Sequence, residues 1–523
     1  MNKLLTTFLI CLCLCTIIKG QVCEKGRQSY LFKTFVMSCK NIRDQFPNTT
    51  SVASSISCEN CDIPTFTEDV VVTFNGGIFD VSNSHIKNIT ENAFKNFGNA
   101  VQKLIFANNQ ISYIAPHVFD KFNNLEDLNL HNNSLSNVLP GVFENLTIGV
   151  FDLSNNNISD VTNFIRKIKV RKLDLSNNKL TQISINMFND TSFWVASPYR
   201  AIFHELNIGN NQIESIQPGS FKFGDGNSLR VLYLQNNKIT VILNNTFSLQ
   251  NELKNLILNS NQINSLETDS FNNLPKLIML DLAKNKLATL PFGVFSKLGN
   301  LETLNLESNQ LSKLDPSLFS GLVRLNRLHL AHNKLTQFSP TTIFPLGKLT
   351  YLDVSDNRLR ELDLKAIYSH QTRLSTLIIN DNFWSCSKLV AMYKVMNAKW
   401  GGFHDPAKHF DVPNLHGIAC SRVELDYDEN LTFAEFMNII SQDRVFEDIY
   451  DSRINGDAET TQVSLDHLYI QITGMFWMFL SITIMCTVFF VHFVIVTVKS
   501  NKIIANKLNF SYSRAQDENV QLM

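Results

Sequence analysis

Between residues 68 and 385 the apolar positions fall into one short figure that keeps returning. Val170–Leu180 reads VRKLDLSNNKL, Leu253–Ile263 reads LKNLILNSNQI, and Leu301–Leu311 reads LETLNLESNQL. Two apolar residues separated by one polar residue is the period of a strand, whose alternate side chains face opposite ways. The figure is too short for a helix and is followed each time by an Asn-rich bend. Each unit therefore predicts a short strand, a tight turn and a returning segment. One such unit has nothing to bury its apolar edge against, so stability must come from its neighbours.

Written out, the figure is L-x-x-L-x-L-x-x-N-x-L, the leucine-rich repeat. The aligned Asn stands at 109, 133, 156, 178, 211, 237, 261, 285, 309, 333, 357 and 382, and Ser84 holds the place in a degenerate first unit. Its amide is suited to bonding the backbone of adjoining turns. Ten residues beyond it comes a Phe at 94, 119, 143, 188, 221, 247, 271, 295 and 319, a fixed offset that predicts rings stacked turn upon turn inside the coil. The expected fold is an α/β solenoid, a leucine-rich repeat horseshoe with short parallel strands on its concave face. About 13 repeats would occupy 68–385, between a cysteine cap at 21–67 and a second cap at 386–420. In the second, Leu389, Met392, Tyr393 and Met396 recur at helical spacing, and Trp384 stands where a repeat would place Leu. Two departures from the period stand out: Asn156 to Asn178 is short and Asn178 to Asn211 long, with a surplus loop near 189–201.

Two apolar segments outside the repeats set the expected compartment. Residues 1–20 carry Lys3, an apolar run and a terminal Gly20, the pattern of a signal peptide. Residues 468–498 contain no Asp, Glu, Lys or Arg, and about 20 apolar residues suffice to cross a bilayer. Lys499, Lys502 and Lys507 follow that run, which predicts a single-pass type I membrane protein with its N-terminal side outside. The segment 421–467 is strongly acidic and reads as a solvated stalk, in which Phe433, Phe436 and Ile440 could line a short helix, too short for a stable coiled coil. The tail 499–523 is too short for a folded signalling domain, so any signal would pass through a dimer or a co-receptor.

An oxidising compartment gives the cysteines their meaning. Cys386 and Cys420 are expected to pair, whereas Cys23, Cys39, Cys58 and Cys61 allow three connectivities. Asn48, Asn88, Asn132, Asn145, Asn157, Asn189, Asn244 and Asn430 stand in N-x-S/T sequons and are candidate glycosylation sites. His404, His409, His416 and Cys420 follow no common ligand spacing, so no metal and no cofactor is expected.

Charge is close to balanced, with 46 Lys+Arg against 47 Asp+Glu, which argues against a nucleic-acid binder. No nucleophile elbow, zincin motif, P-loop or dinucleotide fingerprint occurs, and no enzymatic activity is expected. Candidate chemistry therefore lies on the strand face. The residue between the paired leucines is mostly Asp or Asn, but turns apolar near the middle. Val231, Tyr233, Ile257 and Met279 are the candidate ligand-binding patch there.

The repeats with their Phe spacing resemble the extracellular repeats of Toll-type receptors and neuronal adhesion proteins. The closing segment, Asn382-Phe-Trp-Ser-Cys386-Ser-Lys-Leu389 through His416-Gly-Ile-Ala-Cys420, is similar to the cap of the mosquito leucine-rich immune proteins, a family with a membrane-anchored branch. Ala419-Cys420 replaces that family's paired cysteine, and its long coiled coil is absent. The resemblance implies an innate-immune protein at the plasma membrane that binds an extracellular protein or microbial ligand. The alternative is an adhesion or guidance receptor that engages a partner on another cell.

Overall fold

A computed structural model describes residues 22–28, 35–43, 45–46, 53–122, 125–165, 168–185, 187–188, 204–223, 229–400, 409–422 and 431–442. The segment 1–20, the surplus loop 189–201, the apolar run 468–498 and the tail 499–523 lie outside the described residues, as do Asn48, Asn189, Asn430 and His404. Among the described residues no helix is long and apolar enough to cross a membrane.

A single sheet of 16 strands runs through the described chain. Its first strand, Val22–Gln28, is antiparallel to Phe35–Lys40. From there each strand joins the next in parallel, through Ala53–Glu59 and Ile78–Asp80 to Thr376–Ile378. The N-terminal cap thus continues the sheet rather than covering it with a separate unit. Register is constant, because the central apolar residue of each strand faces that of the next: Leu206, Leu232, Leu256, Leu280, Leu304 and Leu328 follow in line. All six are fully buried. A one-residue slip would carry a whole row into solvent, so the repeat length fixes the pairing.

The aligned asparagines tie one turn to the next. Asn261 Nδ2 donates to the carbonyls of Leu234 and Leu258 at 2.9 and 3.0 Å, and its Oδ1 accepts the Ile239 N–H at 3.2 Å. Asn237 does the same with Ile208, Leu234 and Ile213. All twelve aligned asparagines are buried, which is tolerable only because the amide is saturated in this way. The residue just before each is left-handed, from Asn108 at φ 55° to Asp381 at φ 54°. Asn tolerates that conformation better than other side chains, which accounts for many of the Asn-Asn pairs.

Behind the sheet the phenylalanines stack. Phe221–Phe247, Phe247–Phe271, Phe271–Phe295 and Phe295–Phe319 lie 5.8, 6.3, 6.1 and 6.4 Å apart, centroid to centroid. The stack is interrupted where the short 156–178 unit lacks its Phe, and there Phe164 meets Phe143 edge-on instead. Past Phe319 the same offset is filled by the buried Ile343 and Ile367.

Disulfides join Cys23 to Cys39, Cys58 to Cys61 and Cys386 to Cys420. In the C-terminal cap the helix Cys386–Trp400 lays Leu389, Met392 and Met396 over the last repeat. Trp384 is fully buried, and its indole N–H donates to the Ile379 carbonyl at 3.0 Å.

The expected boundary of this cap at 420 is corrected by a further element. Helix Phe433–Ser441 begins on a capping box in which Thr432 and Glu435 bond reciprocally. It buries Phe436 and Ile440 against Phe383, Val412 and Ala419. Part of the segment read as a solvated stalk is therefore folded onto the cap. The spacing of Phe433, Phe436 and Ile440 marks the helix itself, and what the sequence did not show is that it packs on the cap.

Candidate ligand-binding face

The exposed side chains of the sheet form columns, one residue per strand. In the column between the paired leucines, most polar residues have a local duty. Asp80, Asn129, Asp152, Asp174, Asn207, Asp281, Asn305 and Asp353 each accept the backbone N–H two residues later. These bonds close the bend at the end of each strand, the turn-forming role to which short Asp and Asn side chains are suited. The Asp/Asn richness of the row is thus a property of the turn. Ligand chemistry belongs at the rungs that lack it, Ile105, Tyr233, Ile257, His329 and Ile378.

Tyr233 and Ile257 are adjacent rungs, paired directly in register. In the neighbouring column Val231 faces Asn255, which in turn faces Met279. The four candidate residues thus share one region, but Asn255 separates Val231 from Met279. All of them are half-buried, their flanks packed and their outer edges open to solvent. Burial, with Glu205 nearby, pushes the Tyr233 hydroxyl above its usual range, so it remains a neutral donor and acceptor. The result is an apolar strip with one hydroxyl at its edge.

A second cluster was not legible as a site in the sequence. Three rungs away, the Arg327 guanidinium lies 4.4 Å over the Tyr351 ring, and the His329 ring lies 4.7 Å from it. Tyr351 donates to Asp353 at 3.3 Å, and burial with that carboxylate pushes its hydroxyl to about 12. Burial, then Arg327, lowers His329, while burial raises Asp281. Each group here has its partner within the cluster, so the arrangement stiffens the face. Only the register brings Arg327 and Tyr351 together, 24 residues apart in the chain.

Among the described residues no group of His, Cys, Asp and Glu is arranged to hold a metal. His409 instead meets Asp381 at 2.8 Å, His416 packs on Tyr393, and Cys420 is in a disulfide. Of the described sequons, Asn88 lies in the short strand Asn88–Ile89 behind the main sheet. Asn132, Asn145, Asn157 and Asn244 lie outside strands, with Asn132, Asn145 and Asn244 exposed. The main sheet carries no sequon asparagine among them.

Comparison with known proteins agrees with this architecture. Leucine rich repeat family models match residues 78–135, 204–250, 251–311 and 299–359, and a further one matches 169–190. Podocan of Mus musculus is 32% identical over 177 residues, covering 26% of this chain and 29% of podocan. Osteomodulin of Bos taurus is 33% identical over 130 residues, covering 24% of this chain and 26% of osteomodulin. The chain thus spans less than a third of the length of either relative. A chain from the solved Toll–Spatzle complex, described as a hub in Drosophila development and innate immunity, superposes with a TM-score of 0.53 at 21% identity. That match covers 69% of this chain and 52% of the other, and shows the fold alone. Over the matched residues the chain carries leucine-rich repeats similar to those of podocan and osteomodulin.

Proposed function

We propose that the protein is a non-enzymatic recognition molecule of the cell surface that binds an extracellular protein or microbial ligand across the strand face around Tyr233 and Ile257. One observation carries the reading. These two adjacent rungs present half-exposed apolar side chains where most other rungs hold a turn-closing Asp or Asn. A contiguous apolar strip with a hydroxyl at its edge is the composition of an interface centre. Surface anchorage rests on the apolar run 468–498 and the basic residues after it, and secretion on the pattern of residues 1–20. The similarity of the closing cap to that of mosquito leucine-rich immune proteins favours an innate-immune role. The sequons at Asn88, Asn132, Asn145, Asn157 and Asn244 fit the same reading, since glycans there would leave the strand face uncovered.

The test is a comparison of variants of the full chain displayed on cells. Tyr233→Asp with Ile257→Asp is expected to abolish cross-linking to extracellular partners while leaving surface display intact. Phe292→Asp, at a side chain that is 72% exposed outside the strand face, is the control and should retain them. Partners kept by the double variant at full yield would remove this face from consideration.

A further inference from the structure

One column of the sheet carries Arg, His, Arg and Lys on four consecutive rungs. Immediately N-terminal to the residue pairs Lys172–Leu173, Glu205–Leu206, Val231–Leu232 and Asn255–Leu256 stand Arg171, His204, Arg230 and Lys254. They are brought into line by the ladder itself. His204 N–H donates to the Arg171 carbonyl at 2.8 Å, Arg230 to His204 at 3.0 Å, and Lys254 to Arg230 at 2.8 Å. At about 4.8 Å per strand the column extends roughly 14 Å. Arg171 and Lys254 are exposed and Arg230 is half-exposed. Lys172, in the next column, is held by Glu205 at 2.8 Å. Arg171, Arg230 and Lys254 have no ion-pair partner among the described residues.

This column borders the apolar strip. Val231 directly follows Arg230, Asn255 directly follows Lys254, and Tyr233 and Ile257 lie two residues further along the same strands. Unpaired cations beside an apolar strip are complementary to a chain that carries both carboxylates and apolar side chains. A uniformly sulfated glycan would use the cations but leave the strip without a counterpart. We propose that the partner segment bound on this face is an acidic, apolar-rich stretch of polypeptide, its carboxylates on Arg171, Arg230 and Lys254 and its apolar side chains on Val231, Tyr233 and Ile257. This deepens the recognition reading above and rests on it. The cations set register and speed of encounter, and the strip supplies the buried area.

The experiment uses the full chain in nanodiscs and three labelled probes, a peptide of alternating glutamate and leucine, the same peptide with glutamine for glutamate, and a heparin oligosaccharide. The glutamate peptide is expected to bind at least about tenfold more tightly than the glutamine peptide, and the difference should shrink with added salt. Arg171→Gln with Arg230→Gln and Lys254→Gln is expected to remove that difference, whereas Arg171→Lys with Arg230→Lys preserves it and controls for folding. Equal binding of the two peptides, or a glutamate preference that survives the triple glutamine variant, overturns the inference. Binding of heparin with no binding of the glutamate peptide overturns it in favour of a sulfated glycan. If the peptides bind equally and both are lost with Tyr233→Asp and Ile257→Asp, the recognition face stands and only the acidic partner fails.

Discussion

At the scale of single residues, two adjacent positions in each repeat do opposite work. Asn261 saturates three buried backbone groups, so removing its amide strands them inside the coil. Asn236, in contrast, is exposed and serves through its left-handed backbone at φ 55°. Asn261→Ala is therefore expected to lower the unfolding free energy by about 3 kcal/mol in a denaturant titration. Asn236→Gly should stay within about 1 kcal/mol of the parent, because glycine adopts that conformation freely. The first of these roles was legible in the sequence, since a buried ligand of the backbone has to recur as the same residue. The second was not, because Asn236, Ser260, Lys284, Ser308 and His332 fill it with four different side-chain types. The turn-closing duty of Asp281 and Asn305 was likewise not legible, because a polar residue at that place is equally expected on a solvated strand face.

At the scale of elements, the strands and the Phe stack followed directly from period and offset. The spacing of Phe433, Phe436 and Ile440 marked the short helix Phe433–Ser441, which opens on the Thr432-x-x-Glu435 capping box, but did not show where it packs. Its docking depends on a surface that only the folded cap creates, with Phe436 and Phe383 stacked at 5.3 Å. Phe436→Ala is expected to release the helix without unfolding the repeats. Hydrogen exchange should then rise across Phe433–Ser441 while Leu256 and Leu280 stay protected, the behaviour of a locally opening unit. Protection lost along the whole sheet would mean that this helix holds the solenoid together.

At the scale of the whole molecule, the response to acid combines groups far apart in the chain. Burial, then Arg230, Arg171 and Lys172, lowers His204, and Glu205 opposes them. Burial and Arg327 lower His329 against Asp353, Glu307 and Asp281. A histidine whose folded value lies below the unfolded 6.5 takes up its proton more readily when unfolded. Stability therefore falls as pH drops through 6.5 towards the folded values. Asp127 and Asp281 act the other way, because burial raises them, and acidification below their folded values relieves that cost. Thermal unfolding is expected to show a lower midpoint at pH 5.5 than at pH 7.5, a difference that shrinks in His204→Gln with His329→Gln. An unchanged difference in that variant would assign the acid response to other groups.

The sequence alone determined the repeat, its strand and turn, the buried asparagine and the stacked phenylalanines, because each depends on contacts with a neighbour one period away. Periodicity is enough when every neighbour is a copy. Only the tertiary structure decided which members of the strand columns are engaged and which are left open. It paired Lys172 with Glu205 and left Arg171 and Lys254 exposed. It also packed the stalk helix against the cap. Those contacts follow from side-chain reach and from surfaces made by folding, which no local pattern encodes.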